Sequence, residues 1–289
     1  MDAAELIRRV KRIELKSRGL SQNVFAGQYR SAFKGRGMSF SEVREYQVGD
    51  DVRDIDWNVT ARFNHPYVKV FEEERELTLM LLIDISGSTG FGTVNQTKRD
   101  MAIEIAATMA MSAIQNNDKI GAILFSDRIE KYIPPKKGRQ HALVLIREMV
   151  TTEASSRQTD IGQALEFFQK VMKRHCAVML LSDFLTANPM EQQLRMVAGK
   201  HDLMAVHLYD PREQAIPDVG LLYLEDAESG ERLLVDTHSA KVRSIIAQQA
   251  QQRRQTIKEL LMKTKTDFAS ISTDADYVKS LQQLMSLRK

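Results

Sequence analysis

The sequence predicts an α/β protein built on a mainly parallel sheet with helices on both faces. Short apolar stretches such as "LTLMLLID", "KIGAILFS", "CAVMLLSD" and "DLMAVHLYD" have strand length and no polar face, as strands buried on both sides require. Segments with apolar residues at helical spacing separate them, and strand–helix alternation of this kind is the pattern of a doubly covered parallel sheet. The first stretch also continues as "DISGSTG", so a buried strand ends by presenting one carboxylate and two hydroxyls.

The first 76 residues differ from the rest of the chain. Residues 1–36 carry nine basic and three acidic side chains, and residues 41–76 carry ten acidic and five basic. Such opposed halves are expected to fold against each other or against the main body. The chain is therefore divided into 1–76, a helix and strand elaboration packing on the main domain, and 77–289, the main domain. The opening reads as a helix with Leu6, Val10, Ile13 and Leu15 at roughly helical spacing. Its basic face is read as solvated in preference to a lipid or RNA contact.

From Leu77 strands and helices alternate. "LTLMLLID" is a strand, and "KRDMAIEIAATMAMSAI" a helix with a stripe through Met101, Ile105 and Met109. "KIGAILFS" is the next strand, with "RIEKYIPP" a short neighbour stopped by two prolines. "RQHALVLIREMV" and "TDIGQALEFFQKVMK" are helices, "CAVMLLSD" a strand, "EQQLRMVAGK" a helix and "DLMAVHLYD" a strand. "GLLYLED" and "ERLLVD" form a pair around the turn "AESG". A helix from about Ser239 to Met262 carries Val242, Ile245, Ile246, Ile257, Leu260 and Leu261 on one face, and "DFASIST" and a last helix to Leu287 close the chain.

Composition excludes several classes of function. With 289 residues, 43% apolar and 27% charged, the chain has ordinary globular composition and length enough for a large core. A net charge of +3 offers no argument for nucleic acid or a membrane surface. The one cysteine, Cys176, allows no internal disulfide and no cysteine-based zinc cluster. The start of the chain has acidic residues early and no apolar core, unlike a secretory signal. The apolar runs are far shorter than the roughly 20 residues of a membrane helix, so a soluble, cytoplasmic protein without direct membrane insertion is expected.

Ligands of open α/β sheets bind at the carboxyl ends of strands, near a topological switch point, and Asp84 falls there. Asp84, Ser86 and Ser88 supply hard oxygens suited to magnesium. Thr159, at the entrance of a later helix, and Asp183, closing "MLLSD", are expected at the same edge of the sheet.

These residues carry a resemblance. "DISGS" matches the D-x-S-x-S motif of von Willebrand factor type A domains, and Thr159 and Asp183 match the other two elements of their metal-ion-dependent adhesion site. The resemblance implies a Rossmann-like domain in which Ser86, Ser88 and Thr159 hold Mg2+ or Mn2+ through hydroxyls. Asp84 and Asp183 would act largely through water, and a sixth position would stay open for an acidic side chain of a partner. Upstream, "REYQVGDDVRDIDWNVTAR" followed by "VKVFEEERELTLMLLIDIS" is similar to the signature of the bacterial domain of unknown function 58 family. Such proteins are typically encoded beside MoxR-type AAA+ ATPases, an arrangement resembling two subunits of magnesium chelatase. The resemblance thus implies a non-enzymatic interaction module that works with such an ATPase in maturing or remodelling client proteins. Members often carry N-terminal membrane segments, which are not seen in this sequence. A metal-dependent hydrolase or phosphatase using the same cluster, with Asp160 or Asp127 as base, is the alternative.

The remaining chemistry-bearing residues read as structural. Asp50, Asp51, Asp54 and Asp56 are expected to pair with Arg44, Arg53 or Arg62 in a turn and a strand "VRDIDW", with a metal site or acid–base pair as the other use. Trp57 is read as an interface anchor or as a plug between the two regions. No G-x-x-x-x-G-K-[ST], G-x-G-x-x-G, H-E-x-x-H or G-x-S-x-G pattern occurs. His207 is expected in the core and Cys176 to be inert. "QQRRQTIKELLMKTK" lacks interleaved aromatics and reads as a solvated face, without a nucleic-acid role.

Overall fold

Apolar strands of six to eight residues set the architecture. The computed structural model describes residues 3–22, 29, 38–73, 77–93 and 96–287, which fall into two units, 1–33 with 78–289 and 34–77. In chain order the elements are α1 (Ala3–Leu20), β1 (Met38–Glu45), α2 (Trp57–Phe63), β2 (Tyr67–Glu73), β3 (Thr78–Asp84), α3 (Lys98–Gln115), β4 (Lys119–Phe125), β5 (Ile129–Lys136), α4 (Arg139–Thr151) and α5 (Ile161–Val171). They continue as β6 (Ala177–Ser182), α6 (Glu191–Lys200), β7 (Asp202–Tyr209), α7 (Pro211–Gln214), β8 (Leu221–Glu225), β9 (Arg232–Asp236), α8 (Ala240–Lys263), β10 (Asp267–Ser272) and α9 (Tyr277–Ser286).

The central sheet has the order β10-β7-β6-β3-β4-β5, parallel throughout except for the edge pair β4–β5. The chain leaves β3 toward β4 on one side and returns to β6 on the other, so the switch point lies between β3 and β6. Every residue from Leu79 to Asp84 is buried, as is all of β6. Met80 and Leu82 point toward α5, α6 and the last turns of α8, packing with Ile161, Leu165, Leu194 and Leu261. By strand alternation Leu79, Leu81 and Ile83 face the opposite side, which α3 covers. Each such side chain contributes about 1.5–3 kcal/mol when fully buried.

Helix α3 starts at a capping box in which Thr97 and Asp100 satisfy each other's backbone N–H groups. It is buried nearly all round because α1 lies on its outer side, also touching α4. The basic face of α1 finds acids there. Arg9 pairs with Asp100 and Lys16 with Glu104 at 2.6 Å, while Glu14, an acid of α1 itself, takes Arg139 of α4 at 2.5 Å. Part of the basic N-terminal face is therefore matched to acids of α3 within its own unit.

The other unit is an antiparallel pair, β1–β2, with a bulge between Phe40 and Glu42. Its acidic residues do local work. Arg44 clasps Asp50 through two hydrogen bonds of 2.7 Å, and Arg53 pairs with Asp51 at 2.9 Å. Lys69, not Arg62, stands nearest Asp56, at 3.6 Å. "VRDIDW" is not a strand: Val52–Asp54 form a 3-10 turn, Ile55 makes one isolated antiparallel bridge to Val68, and Trp57 opens α2. Asp51 accepts from Arg53 N, and Asp56 accepts from Asn58 N and Val59 N as the N-cap of α2. Aspartates that bond their own downstream backbone compete with strand pairing. Trp57, at the start of α2, is exposed.

Three further details differ from expectation. Pro134 and Pro135 do not stop β5 but lie inside it. An edge strand tolerates them because a missing N–H there breaks few ladder bonds, and the β4–β5 register shifts between Ile120 and Ala122. Leu15 is exposed while Ile13 is buried, since a spacing of two puts residues on opposite sides of a helix. Only Ile257 and Leu261 of α8 are buried. Its 24 residues make a rod of about 36 Å at 1.5 Å per residue, longer than the strands it crosses, and the half carrying Val242 and Ile245 overhangs.

The β4–β5 junction leaves no room at Gly121. A Cβ there would stand 2.8 Å from the Ile133 carbonyl oxygen and 2.9 Å from Pro135 N. Gly121→Ala is expected to destabilise the protein by about 1–3 kcal/mol, measured as a lowered urea midpoint with unchanged slope.

Candidate metal centre

A buried strand that ends in a carboxylate must satisfy it from its neighbours. At the tip of β3, Asp84 is fully buried, and its Oδ1 accepts from Ser86 N at 2.9 Å. Its Oδ2 accepts from the hydroxyl of Ser182 at 2.6 Å. Parallel pairing makes this possible, because Ile83 lies opposite Leu181 and the next pair of residues is Asp84 and Ser182.

Beyond Asp84 the chain turns through a short 3-10 segment, Gly87–Gly90, that brings the Ser86 and Ser88 hydroxyls within 3.2 Å of each other. Gly87 N donates to the Arg157 carbonyl at 3.0 Å, tying this turn to the segment that ends in Thr159. Thr159 is buried, and its carbonyl accepts from the Thr186 hydroxyl at 2.8 Å, yet its own Oγ1 has no hydrogen-bond partner. The Glu228 carboxylate, from the turn between β8 and β9, lies beside that hydroxyl without an aligned hydrogen bond to it.

Asp183, after β6, is also buried. Its Oδ1 accepts from Leu185 N at 3.1 Å, and its Oδ2 from Lys98 Nζ at 2.7 Å. Phe184 adopts a left-handed backbone, φ 57°, held by its N–H on Ser182 Oγ at 2.9 Å. A bulky residue in that region costs about 1–2 kcal/mol, and such strain collects where surrounding structure dictates the turn. Here it lies directly after Ser182, the last residue of β6, and Asp183.

Lys98, the first residue of α3, is wholly buried and bridges Asp183 to Glu213, the latter at 2.5 Å. Burial works against its charge, but the two carboxylates hold the ammonium above its ordinary value. Glu213 is aligned by a capping box in which its other oxygen accepts from Asp210 N. Asp210 in turn collects Thr93 N, Thr93 Oγ1, Arg212 N and Thr273 Oγ1, and is thereby satisfied.

The edge carries an excess of negative charge. Burial, and then the charge of Asp183, push Asp84 up to about 7. Burial also raises Glu228, with Asp183 and Asp226 adding to the effect against the Thr159 hydroxyl.

The residues singled out in the sequence therefore meet, and take different roles. Ser86, Ser88 and Thr159 offer hydroxyls. Asp84 and Asp183 have each oxygen already engaged by a donor, and each oxygen retains a lone pair for a water. That donor set, all hard oxygen with an orphaned buried hydroxyl, fits a magnesium-type cation. Among the described residues no group of three or more His, Cys, Asp or Glu side chains stands ready to hold a metal, so hydroxyls would have to be the direct ligands.

The candidate bases are occupied. Asp160 caps α5 through Gln163 N at 2.8 Å and accepts from Asn188 Nδ2 at 2.8 Å, while Asp127 pairs with Arg128 at 3.0 Å. His207 is a core residue, pushed down to about 4 by burial, and the Cys176 thiol is pushed up to about 12 by burial.

Residues 42–256 match the family described as "Protein of unknown function DUF58". The chain is 30% identical to the uncharacterized protein Rv1480 of Mycobacterium tuberculosis, over all of this chain and 92% of the relative. It is 29% identical to the uncharacterized protein YeaD of Bacillus subtilis over 147 residues, 50% of this chain and 34% of YeaD. Among solved structures it is similar to the conserved hypothetical protein BatB from Bacteroides thetaiotaomicron, with a TM-score of 0.50 and 15% identity. That alignment covers 73% of this chain and 98% of BatB. The likeness is one of fold. No helix among the described residues is long and apolar enough to cross a membrane.

Two outcomes are expected from the charges. Lys98→Met leaves Asp183 buried without its cation and is expected to cost about 3–5 kcal/mol, read by chemical denaturation. Asp84 holds its proton more tightly folded than unfolded, so its contribution is intact below about pH 4 and is lost as pH rises toward about 7. In EDTA, Asp84→Asn is therefore expected to gain stability relative to wild type across that interval. A flat difference between the two would overturn the assignment.

Proposed function

The chain belongs to the DUF58 family, and from the carboxyl edge of its sheet we propose that it is a protein-interaction module centred on a divalent cation, Mg2+ or Mn2+. Ser86, Ser88 and Thr159 bind the ion through their hydroxyls, and Asp84 and Asp183 hold it through water. The ion then captures an acidic side chain of a partner. The observation that carries this reading is the Thr159 hydroxyl, sealed from solvent, unpartnered, and set in the same knot of turns as the Ser86–Ser88 pair. An unmade hydrogen bond of this kind costs about 1–3 kcal/mol, and a bound cation removes that cost. It also neutralises a site where two carboxylates are buried within each other's field.

The module works with a MoxR-type AAA+ ATPase on client proteins. This part of the proposal rests on the family resemblance; the chain itself carries neither G-x-x-x-x-G-K-[ST] nor G-x-G-x-x-G. A hydrolytic use of the cluster is disfavoured by the engagement of Asp160 and Asp127, since metal-assisted hydrolysis needs a free base or a second metal about 4 Å away.

The test is capture from native lysate by purified protein in Mg2+ and in EDTA, with Asp84→Ala alongside and circular dichroism to confirm its fold. Proteins retained only by wild type in Mg2+ are expected, and an AAA+ ATPase should be among them. Identical recovery in all three samples overturns the metal-bridged contact.

A further inference from the structure

The β8–β9 hairpin ends over the candidate metal centre, and its turn is built to hold one carboxylate there. Asp226 accepts from Glu228 N and Ser229 N, both at 2.8 Å, and its carbonyl accepts from Gly230 N, also at 2.8 Å. Gly230 takes the positive φ of 74° that closes the turn. The turn then sits directly on the D-x-S-x-S segment. A Cβ on Gly87 would lie 2.7 Å from the Ala227 carbonyl oxygen, so only glycine between the two serines lets the hairpin approach this closely. Arg157 secures the other side, pairing with Glu225 at 3.4 Å.

Glu228 is the residue this arrangement delivers. It is half-buried, its Oε1 is sealed from solvent without a partner, and no basic side chain among the described residues pairs with it. It faces the Thr159 hydroxyl, which also lacks a partner. The hydroxyl can turn to donate to that carboxylate, and a cation between the two oxygens would take the place of that contact by accepting a lone pair from each.

We propose that Glu228 is the protein's own occupant of the cation's outward coordination position, standing where a partner's acidic side chain would bind. The inference rests on the proposed cation centre. It makes the hairpin a latch that an incoming carboxylate must displace. The outer residues of that hairpin are weakly held, with Leu221, Tyr223 and Leu233 all more than half exposed. An isolated two-stranded hairpin is marginal by itself, so the turn can lift without unfolding the sheet.

Manganese binding to EDTA-stripped protein separates the possibilities, using wild type, Glu228→Gln, Asp84→Ala and, as control, the exposed turn residue in Glu231→Gln. Calorimetry is expected to show a loss of affinity on the order of tenfold or more in Glu228→Gln, judged against the 10–100-fold that even outer-shell partners of a metal are worth. Water-proton relaxivity of the bound ion should rise by one added water. Amide exchange over residues 226–231 should slow on manganese addition in wild type and in Glu231→Gln, but not in Glu228→Gln. Wild-type affinity and exchange in Glu228→Gln, with binding lost in Asp84→Ala, overturns the latch and leaves the metal centre standing. No manganese binding to wild type overturns both.

Discussion

The arrangement at the sheet's carboxyl edge depends on Asp84 having no contact with solvent. Removing an ionised carboxylate from water costs several kcal/mol even after relaxation, and hydrogen bonds to a charged group return about 1.5–3 kcal/mol each. Ser182 Oγ and Ser86 N supply two such bonds, and a second buried carboxylate, Asp183, works against them. Much of the surrounding structure can be read as a response. Lys98 is buried on Asp183, Glu213 is recruited to Lys98, and Asp210 orients Glu213 while gathering the loops at Thr93 and Thr273.

The sheet supplies the precision. Parallel pairing places the ends of β3 and β6 at one level, so a residue from each can share a hydrogen bond without any loop having to find its position. Groups carried on rigid strand ends are held more closely than groups on free loops. The other contributions come from outside the sheet, from the Thr159 segment and the β8–β9 turn, and both are tied back to the Ser86–Gly90 turn by backbone contacts at Gly87.

How much of this is legible in the sequence depends on the range of the forces involved. Doubly buried strands must be apolar throughout, so "LTLMLLID" and "CAVMLLSD" show themselves. Asp84, Ser86 and Ser88 lie within five residues of each other, and Thr159 and Asp183 can be matched to a known pattern. Lys98 cannot be recognised. A lysine opening an amphipathic helix reads as solvated, and its burial depends on acids 85 and 115 residues away. Ser182 is easily passed over beside Asp183, although its position opposite the residue after Ile83 is the available signal. Glu228 lies in a turn that the sequence places correctly, but nothing local tells that the turn folds back on Gly87. "VRDIDW" misleads because alternating polarity imitates a strand when the polar residues are aspartates that bind their own backbone.

The prolines inside β5 bear on how this protein meets others. An exposed sheet edge is the usual template on which a foreign strand, or a second copy, can add itself through main-chain hydrogen bonds. In a strand the N–H groups alternate between the inner and the outer side, so two successive residues without an N–H remove one donor from each. Pro134 and Pro135 do this at the antiparallel edge of the central sheet. That border is blunted against strand exchange and fibre-like growth, which leaves β10 as the edge of the central sheet with its full row of N–H groups.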